Sequence, residues 1–320
     1  MKTLRFTLVA VAAALAASAA SAQTTIRITH ATPATSHYGV GTQTFCAEVE
    51  KRTNARFKCQ IQPNTGDERA SIEGVQLGSL DATNTSTGPV SNFVPEVGIV
   101  DIPFLFRDYA HARGVLDGPI GQDLLAKFPA KNLIALAWTE NGFRHLTNSK
   151  RAIVKPDAVK GLKVRTMQNP VHIQAFQSIG VQPTPMAFSE LFTALQQGVV
   201  DGQENPIPVI LSAKFSQVQK HLSLTGHVYS PAVLILSPKL WNSLNDADKA
   251  AFREAAKAGA AAQRKKVNDD EASGIDQLRK EGVTVSNVDG AAFRTAMTPV
   301  WTEFAKKYGA DNIRRIQEFK

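Results

Sequence analysis

The segment from Asn245 to about Lys280 constrains this chain more than any other. It is rich in Ala, Lys, Arg, Glu and Gln, opens on an Asn of the kind that caps helices and stops before Gly282. A helix of about 35 residues at 1.5 Å each spans roughly 50 Å, more than the width of one domain of this size. Such a rod either bridges two lobes or breaks. Gly259 is the place for a break, since an interior Gly costs about 1 kcal/mol relative to Ala. The sequence admits both.

A second feature points to two lobes. A helical stretch from about Arg69 to Leu77 runs into Gly78-Ser79-Leu80-Asp81-Ala82, and 120 residues later Glu190 to Gln197 runs into Gly198-Val199-Val200-Asp201-Gly202. In both, Gly stands where a helix C-cap belongs and a short strand begins. Thr24 to Thr29 alternates apolar and polar residues, Thr44 to Lys51 has helical spacing and Phe57 to Gln62 alternates again, which is a β-α-β opening of an α/β domain. Leu133 to Phe143 reads as a strand entering Asn141-Gly142, and Gly161 to Thr166 as a strand after the Pro156-Asp157 turn. Crossings between lobes are expected near Gly142 and near His227 to Pro231. Lobe I would hold 23–142 with about 231–270, and lobe II 143–230 with about 271–320.

The first residues read as a leader. Lys2 and Arg5 precede an apolar run of 15 residues, Phe6 to Ala20, and Ala20-Ser21-Ala22 is the small-x-small pattern of a signal-peptidase site. The run falls short of the roughly 20 residues that span a bilayer. Cleavage is expected between Ala22 and Gln23, and the mature chain in the periplasm. Without Lys2 and Arg5 the formal charge falls from +8 to +6. That balance suits small anions. The basic residues are scattered and lack the aromatic interleaving of a nucleic-acid surface, so no nucleic acid is expected. Cys46 and Cys59 lie close in sequence, and an oxidising compartment would let them pair.

Constellations for catalysis are missing. There is no HExxH, GxSxG or Gly-rich phosphate loop, and Gly39-Val40-Gly41 lacks the third Gly of a dinucleotide fingerprint. The seven His residues have no metal-ligand spacing. The chain is therefore expected not to be an enzyme, with no cofactor, no metal and no catalytic residue, and as a monomer, since no heptad seam is visible.

The informative region is Asn141 to Pro206. Arg165 falls near the end of a strand, and Asn169-Pro170 then opens a helix with a good cap and Pro at its first position. Ligands of open α/β sheets sit beyond the strand carboxyl ends, where a planar guanidinium can grip a carboxylate with two donors. The runs Asn141-Gly142-Phe143-Arg144, Pro156-Asp157-Ala158-Val159-Lys160-Gly161-Leu162-Lys163-Val164-Arg165, Pro183-Thr184-Pro185-Met186-Ala187-Phe188-Ser189-Glu190 and Asp201-Gly202-Gln203-Glu204-Asn205-Pro206, with Asp101-Ile102-Pro103-Phe104 before them, closely resemble the substrate-binding subunits of TRAP (tripartite ATP-independent periplasmic) transporters. The resemblance covers nearly the whole mature chain.

What it implies is a two-lobed periplasmic-binding-protein fold of the α/β class, with an interdomain cleft, hinge strands and a long helix bridging both lobes. Arg165 would pair with a substrate carboxylate, Asn205 would hydrogen-bond the ligand, Phe188 would pack on it, and Arg144 would add a second cation or support the first. Glu68, Ser86 and Thr87 match positions of polar ligand contacts. Thr85, Ser86, Gln168, Asn169 and Asn205 favour a hydroxylated acid, such as an aldonate or uronate, over a plain dicarboxylate. The partners implied are a small organic acid and the membrane permease subunits of the transporter. An exported enzyme acting on a small carboxylic acid, or a binding protein serving a signalling receptor, are the alternatives.

Overall fold

The structure is a computed structural model that describes residues 23–320, so the leader and its cleavage point lie outside the described residues. Nine strands form one sheet: β1 (Thr24–Thr29), β2 (Phe57–Gln62), β3 (Ala82–Ser86), β4 (Ile134–Asn148), β5 (Lys163–Thr166), β6 (Gln182–Pro185), β7 (Gly202–Pro206), β8 (His221–Leu236) and β9 (Thr284–Asn287). The helices used below are α1 (His37–Arg52), α2 (Glu68–Leu77), α3 (Thr87–Val90), α4 (Tyr109–Asp117), α5 (Pro119–Leu125), α6 (Pro170–Ser178), α7 (Phe188–Gln196), α8 (Ile207–Ser212), α9 (Pro238–Ser243), α10 (Asp246–Lys280) and α11 (Gly290–Tyr308).

The strand order β2-β1-β3-β8-β4-β7-β5-β6 explains how one sheet serves two lobes. The antiparallel pair β4 and β8, 15 and 16 residues long, runs through both. β3 pairs with the C-terminal end of β8, from Ala82 opposite Leu236 to Ser86 opposite Ala232. β7 pairs with the C-terminal end of β4, from Arg144 opposite Pro206 to Asn148 opposite Gly202. The register of the long pair slips between Ala135 and Ala137, between Glu140 and Gly142 and again between Arg144 and Leu146, and each slip bends and twists the strands locally. Gly142 has φ +126°, a conformation that L side chains rarely adopt.

The two helix–Gly–strand junctions are built alike. α2 ends at Gly78 in the left-handed conformation and leads to β3, while α7 is followed by Gly198 at φ +70° and leads to β7. Both strands then pass directly into a short helix, α3 or α8. The parallel strand carboxyl ends β1, β3, β5 and β7 therefore face the cleft with their loops and helix starts.

α10 is one continuous helix of 35 residues, capped by Asn245, whose side chain accepts from Asp248 N. The break considered at Gly259 does not occur, because that Gly is where α10 crosses α1. A Cβ there would stand 2.8 Å from Gly41 O and 3.1 Å from Phe45 Cβ. Fifteen residues on, Gly274 gives the same clearance to Ile207 and Leu211 of α8. The rod thus packs on both lobes through glycines, and backbone proximity offsets their helix cost. Gly259→Val is expected to destabilise by about 1–3 kcal/mol through overpacking. A denaturant titration showing an unchanged midpoint would mean that the crossing is looser than this.

The largest apolar cluster among the described residues is continuous, from Ile72 and Val100 through Phe128, Val164 and Phe176 to Phe304, and two smaller clusters flank it. Ile26, Ile28, Phe45 and Val49 pack with Phe252 and Ala256 beneath β1–β3. Leu191, Leu195, Ile207 and Phe215 pack with Leu222 and Leu278 at the other end. Cys46 of α1 and Cys59 of β2 are joined by a disulfide, with Cα atoms 5.6 Å apart.

Candidate ligand-binding site

A small, nearly closed pocket lies at the strand carboxyl ends. β1 contributes Ala31 and Thr32 just beyond its end, β3 contributes Ser86, β5 Arg165 with Met167 beyond it, and β7 Asn205. Glu68 and Phe188, the first residues of α2 and α7, close it from opposite sides. The lips of the cleft touch: Ser189 N donates to Gly66 O at 3.2 Å, and Asn92 Nδ2 donates to Gln168 O at 2.7 Å.

Arg165 dominates the electrostatics. It is 2% exposed. Its Nε and Nη2 both donate to Met186 O, at 3.2 and 2.8 Å, its guanidinium carbon lies 5.9 Å from the Phe188 ring centroid, and its Nη1 is buried without a hydrogen-bond partner. Among the described residues no carboxylate hydrogen-bonds it. Burial, together with the nearby Arg144 charge, pushes its pKa down to about 10. A cation in this position calls for an anion from outside the chain, since burying an uncompensated charge is costly.

Opposite it, Glu68 is held at one oxygen. Its Oε1 accepts from Ser86 N at 2.8 Å, Ser86 Oγ at 2.6 Å and Thr85 Oγ1 at 3.1 Å. All three donors fall on Oε1, which leaves Oε2 available as an acceptor. Ser86 Oγ also meets Tyr38 Oη at 3.2 Å.

Asn205 is oriented from behind. Arg144 Nη2 donates to Asn205 Oδ1 at 3.2 Å, and Asn205 Nδ2 donates to Gln203 Oε1. Arg144 does not line the cavity. It is fully buried in an ion pair with Glu204, whose Oε2 also lies 3.1 Å from His227 Nε2. Burial works to raise the Glu204 carboxyl, but the Arg144 charge and the His227 hydrogen bond outweigh it and hold the group below the ordinary carboxylate range.

Thr87 and Asn169 are also elsewhere. Thr87 Oγ1 donates to Asp101 Oδ1 at 2.7 Å, and Asn169 Nδ2 donates to Asp101 Oδ2 at 3.1 Å while its Oδ1 caps α6. Both side chains are spent on a buried carboxylate, Asp101, which burial raises to about 7 against the pull of those donors. Of the eight positions expected at the site, the structure brings Arg165, Asn205, Phe188, Glu68 and Ser86 into one cavity and leaves Arg144, Thr87 and Asn169 in the walls behind it. Thr32, Tyr38, Asn141, Met167 and Val209 line it without having been singled out. Strand-end position was the usable signal for Thr32 and Met167, whereas Tyr38 and Val209 depend on how α1 and α8 pack.

The surrounding histidines make the fold acid-sensitive. Burial lowers His30 to about 4 and His37, His145 and His172 to about 3. Each folded-state value lies below the unfolded 6.5, so the unfolded chain takes up protons first and stability is lost as pH falls below about 6.5. Asp101 and Glu271, both raised by burial to about 7, act in the opposite sense, gaining stability as pH falls from about 7 toward the usual carboxylate value. Four imidazoles against two carboxyls leave a net uptake of roughly two protons on unfolding near pH 5. Scanning calorimetry should show the melting temperature falling from pH 6.5 to 4.5; a rising one would assign control to the carboxyls.

A two-lobed α/β clamp whose cleft encloses an unpaired guanidinium and several hydrogen-bonding groups is the architecture of a solute-binding protein. The chain matches the DctP family, bacterial extracellular solute-binding protein family 7, over residues 28–307 and belongs to it. It is 56% identical over 301 residues to a solute-binding protein of Verminephrobacter eiseniae, covering 93% of this chain and 90% of that one. A TRAP periplasmic solute-binding protein of Polaromonas sp. JS666, bound to D-erythronate, superposes with TM-score 0.92 at 63% identity over 93% of this chain and 99% of that one. A TRAP periplasmic solute-binding protein of Bordetella bronchiseptica, whose ligand density was assigned to pantoate, gives TM-score 0.92 at 52% identity over 93% and 100%. The protein is thus a periplasmic solute-binding protein of a TRAP transporter, and among its described residues no helix is long and apolar enough to cross a membrane.

Proposed function

We propose that this chain captures a short hydroxylated monocarboxylate, with D-erythronate as the leading candidate, and hands it unchanged, as a monomer, to the membrane subunits of its transporter. The buried Arg165, whose Nη1 has no hydrogen-bond partner among the described residues, carries this reading. Its guanidinium would hold the carboxylate, Glu68 Oε2 would accept from a hydroxyl, Asn205 and Ser86 would bond further hydroxyls, and Phe188 would cover the carbon chain. Glu68 favours hydroxyl donors over a second carboxylate, because two like charges in one closed cavity repel.

The two structural relatives support the choice, since D-erythronate and pantoate are both four-carbon-chain monocarboxylates with hydroxyls beside the carboxylate and at the far carbon. Closure would be a hinge motion of lobe I, 23–142 with about 231–270, against lobe II, 143–230 with about 271–320, biased by ligand contacts present only in the closed form. The leader would be removed between Ala22 and Gln23.

A thermal-shift series on the chain from Gln23 tests this with D-erythronate, pantoate, galactonate and succinate. At about 100 times its dissociation constant a ligand stabilises by about 2.7 kcal/mol, a rise of several degrees. The expected order places D-erythronate and pantoate above galactonate, with no rise for succinate. A rise with succinate alone would overturn the assignment to Glu68, and consumption of the acid would overturn the non-enzymatic reading.

A further inference from the structure

A second concave surface lies away from the cleft. In its N-terminal half, Ile134 to Trp138, β4 pairs only with β8; pairing with β7 begins at Arg144. The other side of this segment, which carries a register slip between Ala135 and Ala137, is an open sheet edge; among the described residues no side chain bonds its main chain, Gln263 Nε2 to Glu140 O at 2.7 Å falling beyond it, while the Trp138 side chain donates to Gly121 O at 3.0 Å. The edge is recessed between α5 on one side and α9 with α10 on the other, at the floor of an open groove. Leu125, Ile134, Leu136, Ala137, Trp241 and Ala260 make its apolar surface. Ile134 to Ala137 are all partly exposed, so the groove is open to solvent.

Two independent features say what fits. Unpaired main-chain groups along an extended edge are satisfied by another extended chain, which adds to the sheet by hydrogen bonds while alternate side chains enter the groove. The charged lining then sets the sign: Arg253, Lys257 and Arg264 stand against Asp117 alone. Arg264 is paired with Asp117, and Lys257 reaches only Glu254 on its own helix, an exposed pair. Arg253 lies over the Trp241 ring at 4.8 Å with no carboxylate partner among the described residues, and both Arg253 and Lys257 are exposed. A second copy of this chain is a poor occupant, since two recessed edges cannot reach one another and their cationic rims would repel.

We propose that this groove is a docking site for an extended, acidic and apolar segment of a partner protein, seated by strand addition to β4. The site is separate from the Arg165 cavity and does not depend on which acid that cavity holds.

The test uses the mature chain and two short synthetic peptides, one alternating valine and glutamate and the other valine and lysine. The acidic peptide is expected to slow hydrogen exchange at main-chain amides between Ile134 and Trp138 by at least about tenfold at saturation and to shift the emission of Trp241, while the lysine peptide does neither. Arg253→Glu combined with Lys257→Glu, two exposed positions whose change leaves the fold intact by circular dichroism, should remove the effect and leave ligand-induced stabilisation in place. Equal protection by both peptides, or protection by neither, overturns the proposal. A concentration-dependent dimer lost in the double variant overturns it in favour of self-association.

Discussion

Arg165→Ala is expected to abolish calorimetrically detectable binding of D-erythronate without lowering the stability of the unliganded protein. Truncating one partner of a buried, hydrogen-bonded charge pair costs about 2–5 kcal/mol, which is roughly thirtyfold to several thousandfold in affinity. The unliganded chain responds differently. Among the described residues Arg165 has no hydrogen-bonded carboxylate partner, and it is 2% exposed, so its removal relieves a desolvation cost and gives up only its bonds to Met186 O and its contact with Phe188. Stability held or raised together with lost binding is a signature that a structural arginine would not produce. Arg165→Lys keeps the charge but cannot both bond Met186 O and present a planar fork, so an intermediate loss is expected. Binding retained in the Ala variant would remove Arg165 from the site.

Glu204→Gln should have the largest effect on folding. The Arg144–Glu204 pair is fully buried, and Arg144 Nη1 already lacks a hydrogen-bond partner. Neutralising Glu204 leaves a buried guanidinium without its counter-charge, a change worth about 3–5 kcal/mol. For a protein of this size that lowers the melting temperature by on the order of ten degrees. The Arg144→Met, Glu204→Leu double variant should recover much of the stability, because an apolar pair needs no compensation. It should not recover ligand affinity, since Asn205 Oδ1 loses the Arg144 donor that orients it. Affinity restored along with stability would show that Arg144 acts on the fold alone.

The amphipathic and capped elements were legible in the sequence because their signals are local. Asn245 caps α10 through a bond to a residue three positions on, and the strand that ends beside Arg165 follows from a short pattern bounded by turns. The leader, the two similar helix–Gly–strand units and the motif Gly161-Leu162-Lys163-Val164-Arg165 are of the same kind. Of the cavity residues, Arg165 could be placed from its position near the end of a strand, whereas Glu68, Ser86, Phe188 and Asn205 followed from the resemblance to TRAP substrate-binding subunits.

Pairings across long sequence separations had no local signal. Continuity of α10 through Gly259 depends on Gly41 of α1, more than two hundred residues away, and only the helix crossing shows that a Gly is required there. Arg144, Thr87 and Asn169 are polar residues beside the site, and nothing in their spacing separates a group that faces the ligand from one that faces Glu204 or Asp101. A buried carboxylate claims the donors nearest to it, because an unpaired charge in the interior costs more than an unpaired hydroxyl at the cleft. Which side chains were left free for a ligand was therefore settled by where Glu204 and Asp101 came to lie.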